Sequence, residues 1–216
     1  MHLLVLSLAL SICWVTKLAA QDQKFVPGQA LAKFVAGSTG DAAVTRAAQA
    51  VPPDLGALAT VVNDLESGVG LPLLATQVSS GNWFIVSLDL DRLAERTVRQ
   101  LRDRDNVTAA SASAREGDIA GGAPAPLRFA VNFAKDSPEH KALLEANAIG
   151  SDEPLVAVLS ALRNDLDLPL ERVAAGAGEL VLQVDLEATT LRLVERLQAL
   201  PEIEAAQPNY ILGAIG

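Results

Sequence analysis

Few residues in this chain have the chemistry of a nucleophile, a general base or a soft metal ligand. The 216 residues hold two histidines, His2 and His140, and one cysteine, Cys13. A Ser–His hydrolase would have to use His140, because His2 falls in an amino-terminal segment expected to be removed. The surroundings of His140, Ser137-Pro138-Glu139-His140-Lys141, read instead as the solvated start of a helix. Asp and Glu residues are spread over helix starts and loops, where capping and solubility account for them, and no carboxylate pair stands out for acid–base work. Gly37 and Gly40 lie between a strand and a helix as in a phosphate loop, but the spacing and the Lys-Ser/Thr of such a loop are missing. Asn106-Val107-Thr108 is a formal glycosylation acceptor at the entry to a strand. These residues predict a protein that is not an enzyme, with no metal site and no cofactor.

Charge and compartment narrow the partners. Leu3 to Val15 is a largely apolar run of 13 residues, too short to span a bilayer as a helix but suited to a signal-peptide core, and Leu18-Ala19-Ala20 offers small residues before a cut. Residues 1–20 are therefore read as a signal peptide, and the protein as secreted or periplasmic, with no membrane attachment after cleavage. Ile12 before Cys13 argues against lipidation, since lipoprotein signals want a small residue there. Cleavage removes Lys17 and no acid, taking the formal charge from -9 to -10 (16 bases against 26 acids). That excess argues against nucleic acid and anionic membranes as partners, both of which need basic patches. Without Cys13 no disulfide forms, so the core alone must hold the fold.

One pattern is written twice. Phe84 to Ser113 aligns without a gap on Leu180 to Asn209, at a constant offset of 96. Phe84, Val86 and Leu88 match Leu180, Leu182 and Val184 as one face of a strand that follows a turn glycine, Gly81 or Gly178. Asp89 and Asp185 are N-caps, and Leu90, Val98 and Leu101 match Leu186, Val194 and Leu197 on one helical face. Val107 and Ala109 then match Ile203 and Ala205 in a closing strand.

Upstream, Ala30 to Val35 and Leu127 to Phe133 read as first strands, each followed by two helical stretches. These are Asp41 to Ala50 and Leu55 to about Gly68 in one copy, and Pro138 to Asn147 and Leu155 to Leu162 in the other. Leu73 to Val78 and Leu170 to Ala174, introduced by Pro72 and Pro169, complete a hairpin. The predicted fold is α+β: two tandem ferredoxin-like domains, βαββαβ, each a four-stranded antiparallel sheet with helices on one face. Their boundaries are 21–117 and 127–216, joined by a Gly- and Pro-rich linker at 118–126.

Such a sheet leaves one face open. With Phe84, Val86 and Leu88 turned to the helices, Trp83 and Ile85 turn outward, which predicts a contact surface; packing of the two open faces on each other or on the linker is the alternative. Glu202 to Leu212 reads as a last strand running into an extended tail, with Pro208 removing a backbone donor.

Two stretches carry a family resemblance. Pro27-Gly28-Gln29-Ala30-Leu31-Ala32-Lys33-Phe34 resembles the entry to the first strand of subtilisin-type protease propeptides, the peptidase inhibitor propeptide family. Glu204-Ala205-Ala206-Gln207-Pro208-Asn209-Tyr210 resembles the signature that closes the last strand of that family. Gln207 stands where an acid is usual, and Ser111-Ala112-Ser113 of the first copy lacks the signature. The resemblance implies an intramolecular chaperone and inhibitor whose open sheet face lies on two helices of the protease, while its carboxy-terminal tail enters the active-site cleft like a product. Glu204 would then lie near the contact face, and Asn209, Tyr210, Ile211, Leu212, Gly213, Ala214, Ile215 and Gly216 would form the tail. No protease domain follows within these residues, so the partner expected is a subtilisin-like serine protease met in trans. The other expectation is a structural or interaction module that uses the Trp83 face for another partner or for self-association.

Overall fold

The computed structural model describes residues 24–113, 125–176 and 178–211. The expected signal segment 1–20, residues 118–124 of the expected linker and Leu212 to Gly216 lie outside them. Alternation sets the strands. In Arg128–Phe133 (β5) Phe129, Val131 and Phe133 are buried, while Arg128, Ala130 and Asn132 turn away. The same alternation buries Ala30, Ala32 and Phe34 in β1 (Phe25–Phe34), Phe84, Val86 and Leu88 in β3 (Trp83–Leu88), and Leu180, Leu182 and Val184 in β7 (Glu179–Val184). β2 (Leu73–Val78) and β6 (Leu170–Ala175) are their hairpin partners, and β4 (Val107–Ala112) and β8 (Ile203–Tyr210) end the two repeats.

Caps set the helices. Ser38 and Ser137 accept from the third backbone N–H beyond them, opening α1 (Thr39–Gln49) and α4 (Pro138–Ile149). Asp89 accepts from the Arg92 N–H and Asp185 from the Ala188 N–H, opening α3 (Leu90–Arg102) and α6 (Leu186–Gln198). The second helical stretches each begin with a 3-10 turn, Leu55–Leu58 and Glu153–Leu155, before α2 (Ala59–Val69) and α5 (Val156–Leu166). α2 passes the end expected near Gly68 and stops at Gly70, which takes the left-handed conformation with φ of 69°. Gly68 lies inside the helix with Leu200 over it: a Cβ there would come within 2.7 Å of the Leu200 side chain.

The result is an α+β fold with two four-stranded antiparallel sheets and, among the described residues, six α-helices. The strand orders correct one expectation. The first sheet runs β2-β3-β1-β8 and the second β4-β5-β7-β6. Each repeat therefore supplies three strands to its own sheet and gives its last strand to the other, where the sequence predicts each copy to close its own sheet. The boundaries 21–117 and 127–216 delimit the repeats in sequence, and neither range by itself contains a whole sheet. The reason is chemical equivalence. β4 and β8 occupy the same repeat position with similar alternation, so either suits the free edge of either first strand, and periodicity does not say which.

The helix before β8 travels with it. α6 packs on β1, β8 and α2, and the Thr190 hydroxyl accepts from the Gly28 N–H at 2.6 Å. Likewise α3 packs on β4, and Arg102 Nε donates to the Ala110 carbonyl. Both helices begin beside their own repeat. Arg92 pairs with Glu66, Arg96 donates to the Gly70 carbonyl, and Arg192 and Arg196 reach Asp167. Arg196 also donates to the Val69 carbonyl at 2.8 Å, tying the carboxyl end of α2 to that of α5. The buried side chains of both halves form one continuous cluster.

Candidate binding face

No helix among the described residues is long and apolar enough to cross a membrane, and no group of three or more His, Cys, Asp or Glu side chains there is placed to hold a metal ion. His140 sits in the first turn of α4 with its ring against the backbone of Gly178, where a Cβ would lie 3.0 Å from Cε1. Its Nδ1 is buried without a hydrogen-bond partner, and the Ser137 hydroxyl beside it caps the helix by accepting the His140 backbone N–H.

The open side of the first sheet is a different surface. Direct cross-strand pairs bring Leu31 beside Ile85 and Lys33 beside Trp83. On the other flank of β1, Leu31 faces Gln207 and Lys33 faces Ala205. Leu31, Trp83 and Ile85 are half-buried with the core on the opposite side of the sheet, and Leu74 at the edge is 46% exposed. Side-chain bonds fix the polar members. Lys33 Nζ meets Glu204 Oε1 at 2.8 Å, the Thr76 and Ser87 hydroxyls lie 3.1 Å apart, and Asn209 Nδ2 donates to Gln29 Oε1 at 2.8 Å. Leu31, Trp83, Ile85 and Leu74 thus form an apolar strip across three strands, rimmed by hydrogen-bonded polar groups. That layout suits association, which favours an apolar centre and a polar rim.

Strand exchange places the residues expected to bind on one sheet. Trp83 and Ile85 come from the first repeat and Glu204 and Asn209 from the second, and all four lie on the sheet built around β1. Leu31 and Leu74 complete the strip without having been singled out in the sequence. The signal for Leu31 was its place between Ala30 and Ala32, which must face the core if β1 alternates.

The expected tail begins later than the closing signature suggests. Asn209 and Tyr210 belong to β8. Tyr210 pairs with Phe25, their rings edge-on at 6.3 Å, and the Ile211 N–H donates to the Lys24 carbonyl. The reason is that β1 resumes pairing beyond an irregularity between Phe25 and Ala30, where Gly28 has φ of 83°, so that its first residues still border the end of β8. Pro208 is buried and causes no break, because β8 is an edge strand where a missing N–H is tolerated.

A second polar cluster lies where α3 runs into β4. Arg104 pairs with Asp165 of α5, and Asn106 and Ser137 stand beside Glu139 of α4. Burial raises the Glu139 pKa, but the Asn106 side chain, its own backbone N–H, the Ser137 hydroxyl and the Arg104 charge outweigh that and hold it below the ordinary carboxylate range. Even so, Glu139 Oε2 and Arg104 Nε are buried without a hydrogen-bond partner.

Comparison with known proteins finds no matching family model, no matching curated protein and no matching solved structure.

Proposed function

We propose that this chain is a non-catalytic binding protein that engages a subtilisin-like serine protease in trans, inhibiting it or assisting its folding. Contact is made through the open face of the first sheet and the segment that follows β8. Each sheet with its helices is read as a ferredoxin-like unit completed by the other repeat. The observation that carries the reading is that β8 borders β1, so the Trp83–Ile85 face and the chain leaving β8 share one sheet. A rigid sheet holding both lowers the ordering cost of presenting an extended segment to a cleft. The test titrates the mature protein against a panel of subtilases. Slowing at stoichiometric amounts, lost when Trp83 is replaced by Glu, is the expected result; undiminished activity at micromolar excess, with the segment after β8 uncut, refutes it.

A second reading has its own support. Asn209 and Tyr210 are tied into the ladder and the Gln29 and Phe25 contacts, which shortens any free tail. On that basis the same face serves a structural or protein-interaction module, including self-association. Sedimentation of the protein and of Trp83→Glu separates the two: a self-complex lost in the variant, with no effect on any protease, favours the module.

A further inference from the structure

The two repeats differ at four corresponding positions around the turn that follows the last helix, and the difference matches the exchange. In the half built around β1, Leu200 follows α6 and packs over Gly68 of α2; Gly40 at the start of α1 and Glu202 line a 270 Å³ pocket beside it. In the half built around β5, Arg104 follows α3 at the position 96 residues before Leu200. It meets Asp165 of α5, the counterpart of Gly68, and acts on Glu139 of α4, the counterpart of Gly40, while Asn106 takes the place of Glu202. One turn sets a leucine over a glycine, Leu200 on Gly68, beside a pocket that Phe34, Val61 and Leu65 share with Asp64 and Glu202. The other sets an arginine among acids.

Self-closure of each repeat would mismatch both sockets. Leu200 would arrive over Asp165 and Glu139, and Glu202 would stand beside Glu139 in place of Asn106, setting two carboxylates together. Arg104 would arrive over Gly68, among Val61 and Leu65, where the acid on the α2 lining, Asp64, is exposed. Leaving the half-buried Glu139 and Arg104 without their opposite charges disfavours that pairing, by less than for a fully buried pair because Asp165 is exposed. We infer that Arg104 with Asp165 and Glu139, set against Leu200 with Gly68, specifies which last helix and strand each repeat accepts, and so selects the exchanged fold over the self-closed one. The interaction surface is the socket between the first-turn end of α1 or α4 and the outer side of α2 or α5, and its partner is the turn joining the last helix to the last strand.

Cross-linking reads the choice directly, since residues 21–216 contain no cysteine. In full-length protein with Cys13→Ser, the pair Leu31→Cys with Gln207→Cys links in the exchanged fold, where those residues are direct partners. Leu31→Cys with Ser111→Cys links in the self-closed fold, because Ser111 is the repeat counterpart of Gln207. The parent background should give the 31–207 link and little of the other. Transposing the side chains, Arg104→Leu with Leu200→Arg, restores matched sockets only when each repeat closes on itself, and should move the ratio of the two links toward 31–111 by about tenfold or more. Arg104→Leu alone leaves the acidic socket facing leucine in either fold and should bring the ratio toward unity. A transposed variant that melts cooperatively and still links only 31–207 overturns the inference. If that variant does not fold, folded Arg104→Leu protein that keeps the parental ratio overturns it equally.

Discussion

The two sheets have the same strand order and opposite surfaces. Where the first sheet turns Leu31, Leu74, Trp83 and Ile85 to its open side, the second has Ala130, Glu171, Glu179 and Val181 at the corresponding places. Their inner faces stay alike, Phe84 and Val86 answering to Leu180 and Leu182, all fully buried. The contrast teaches that core pattern and surface have been set separately. The fold required both inner faces to be apolar, whereas only one outer face carries an apolar strip. A half-buried tryptophan on one copy stands where the other has a carboxylate, so the two outer faces differ in kind.

The largest expected effect tests the shared inner faces. Phe84→Ala should cost about 3–5 kcal/mol, since the ring is fully buried and stacked on Phe34 at 5.0 Å, and Leu180→Ala about 2–5 kcal/mol, both read from urea melts. Comparable losses in one cooperative transition would support the continuous core; two separate transitions would contradict it. Next comes the contrast between sockets. Arg104→Ala should cost roughly 1–2 kcal/mol, below a fully buried pair because the Asp165 side chain is 57% exposed, and Leu200→Ala a similar amount of purely apolar contact. The Arg104 cost should shrink in salt and the Leu200 cost should not.

A smaller effect concerns acid. Because the folded-state pKa of Glu139 lies below its unfolded value, the carboxylate contributes stability that is complete above the unfolded pKa and disappears as pH falls through the depressed folded one. Glu139→Gln should therefore flatten the acidic limb of the stability profile and leave the alkaline side unchanged; an unaltered acidic limb contradicts the assignment. The smallest effect on stability tests the outer faces. Trp83→Glu and Val181→Glu should each shift the melting midpoint by the equivalent of about 0.5–1 kcal/mol or less. Binding should respond to Trp83→Glu and ignore Val181→Glu, and equal loss in both would dissolve the asymmetry between the sheets.

Much of this architecture is legible in the sequence because it is local. Alternation in Phe84–Leu88 and Leu180–Val184 and the Asp89 and Asp185 caps each depend on residues within one or two turns, and the structure has them where the pattern says. What escapes the pattern is long-range. The choice between β4 and β8 as neighbour of β1 leaves no trace in periodicity, and the role of Arg104 becomes visible only when Asp165 and Glu139 are seen around it. The end of the binding segment fails for a related reason. Pro208 reads as the exit from the strand until β8 is known to be an edge strand whose pairing with β1 continues through Ala30 opposite Pro208 to Phe25 opposite Tyr210.

Strand exchange also changes what a broken chain would look like. A protease that cut once between Ser113 and Ala125 would sever the covalent link between the repeats, yet each fragment would still hold a strand that the other's sheet requires. The nicked protein should travel as a single particle through a sizing column and fall into two pieces only in denaturant, two halves clasped like linked hands after the sleeve between them has been cut.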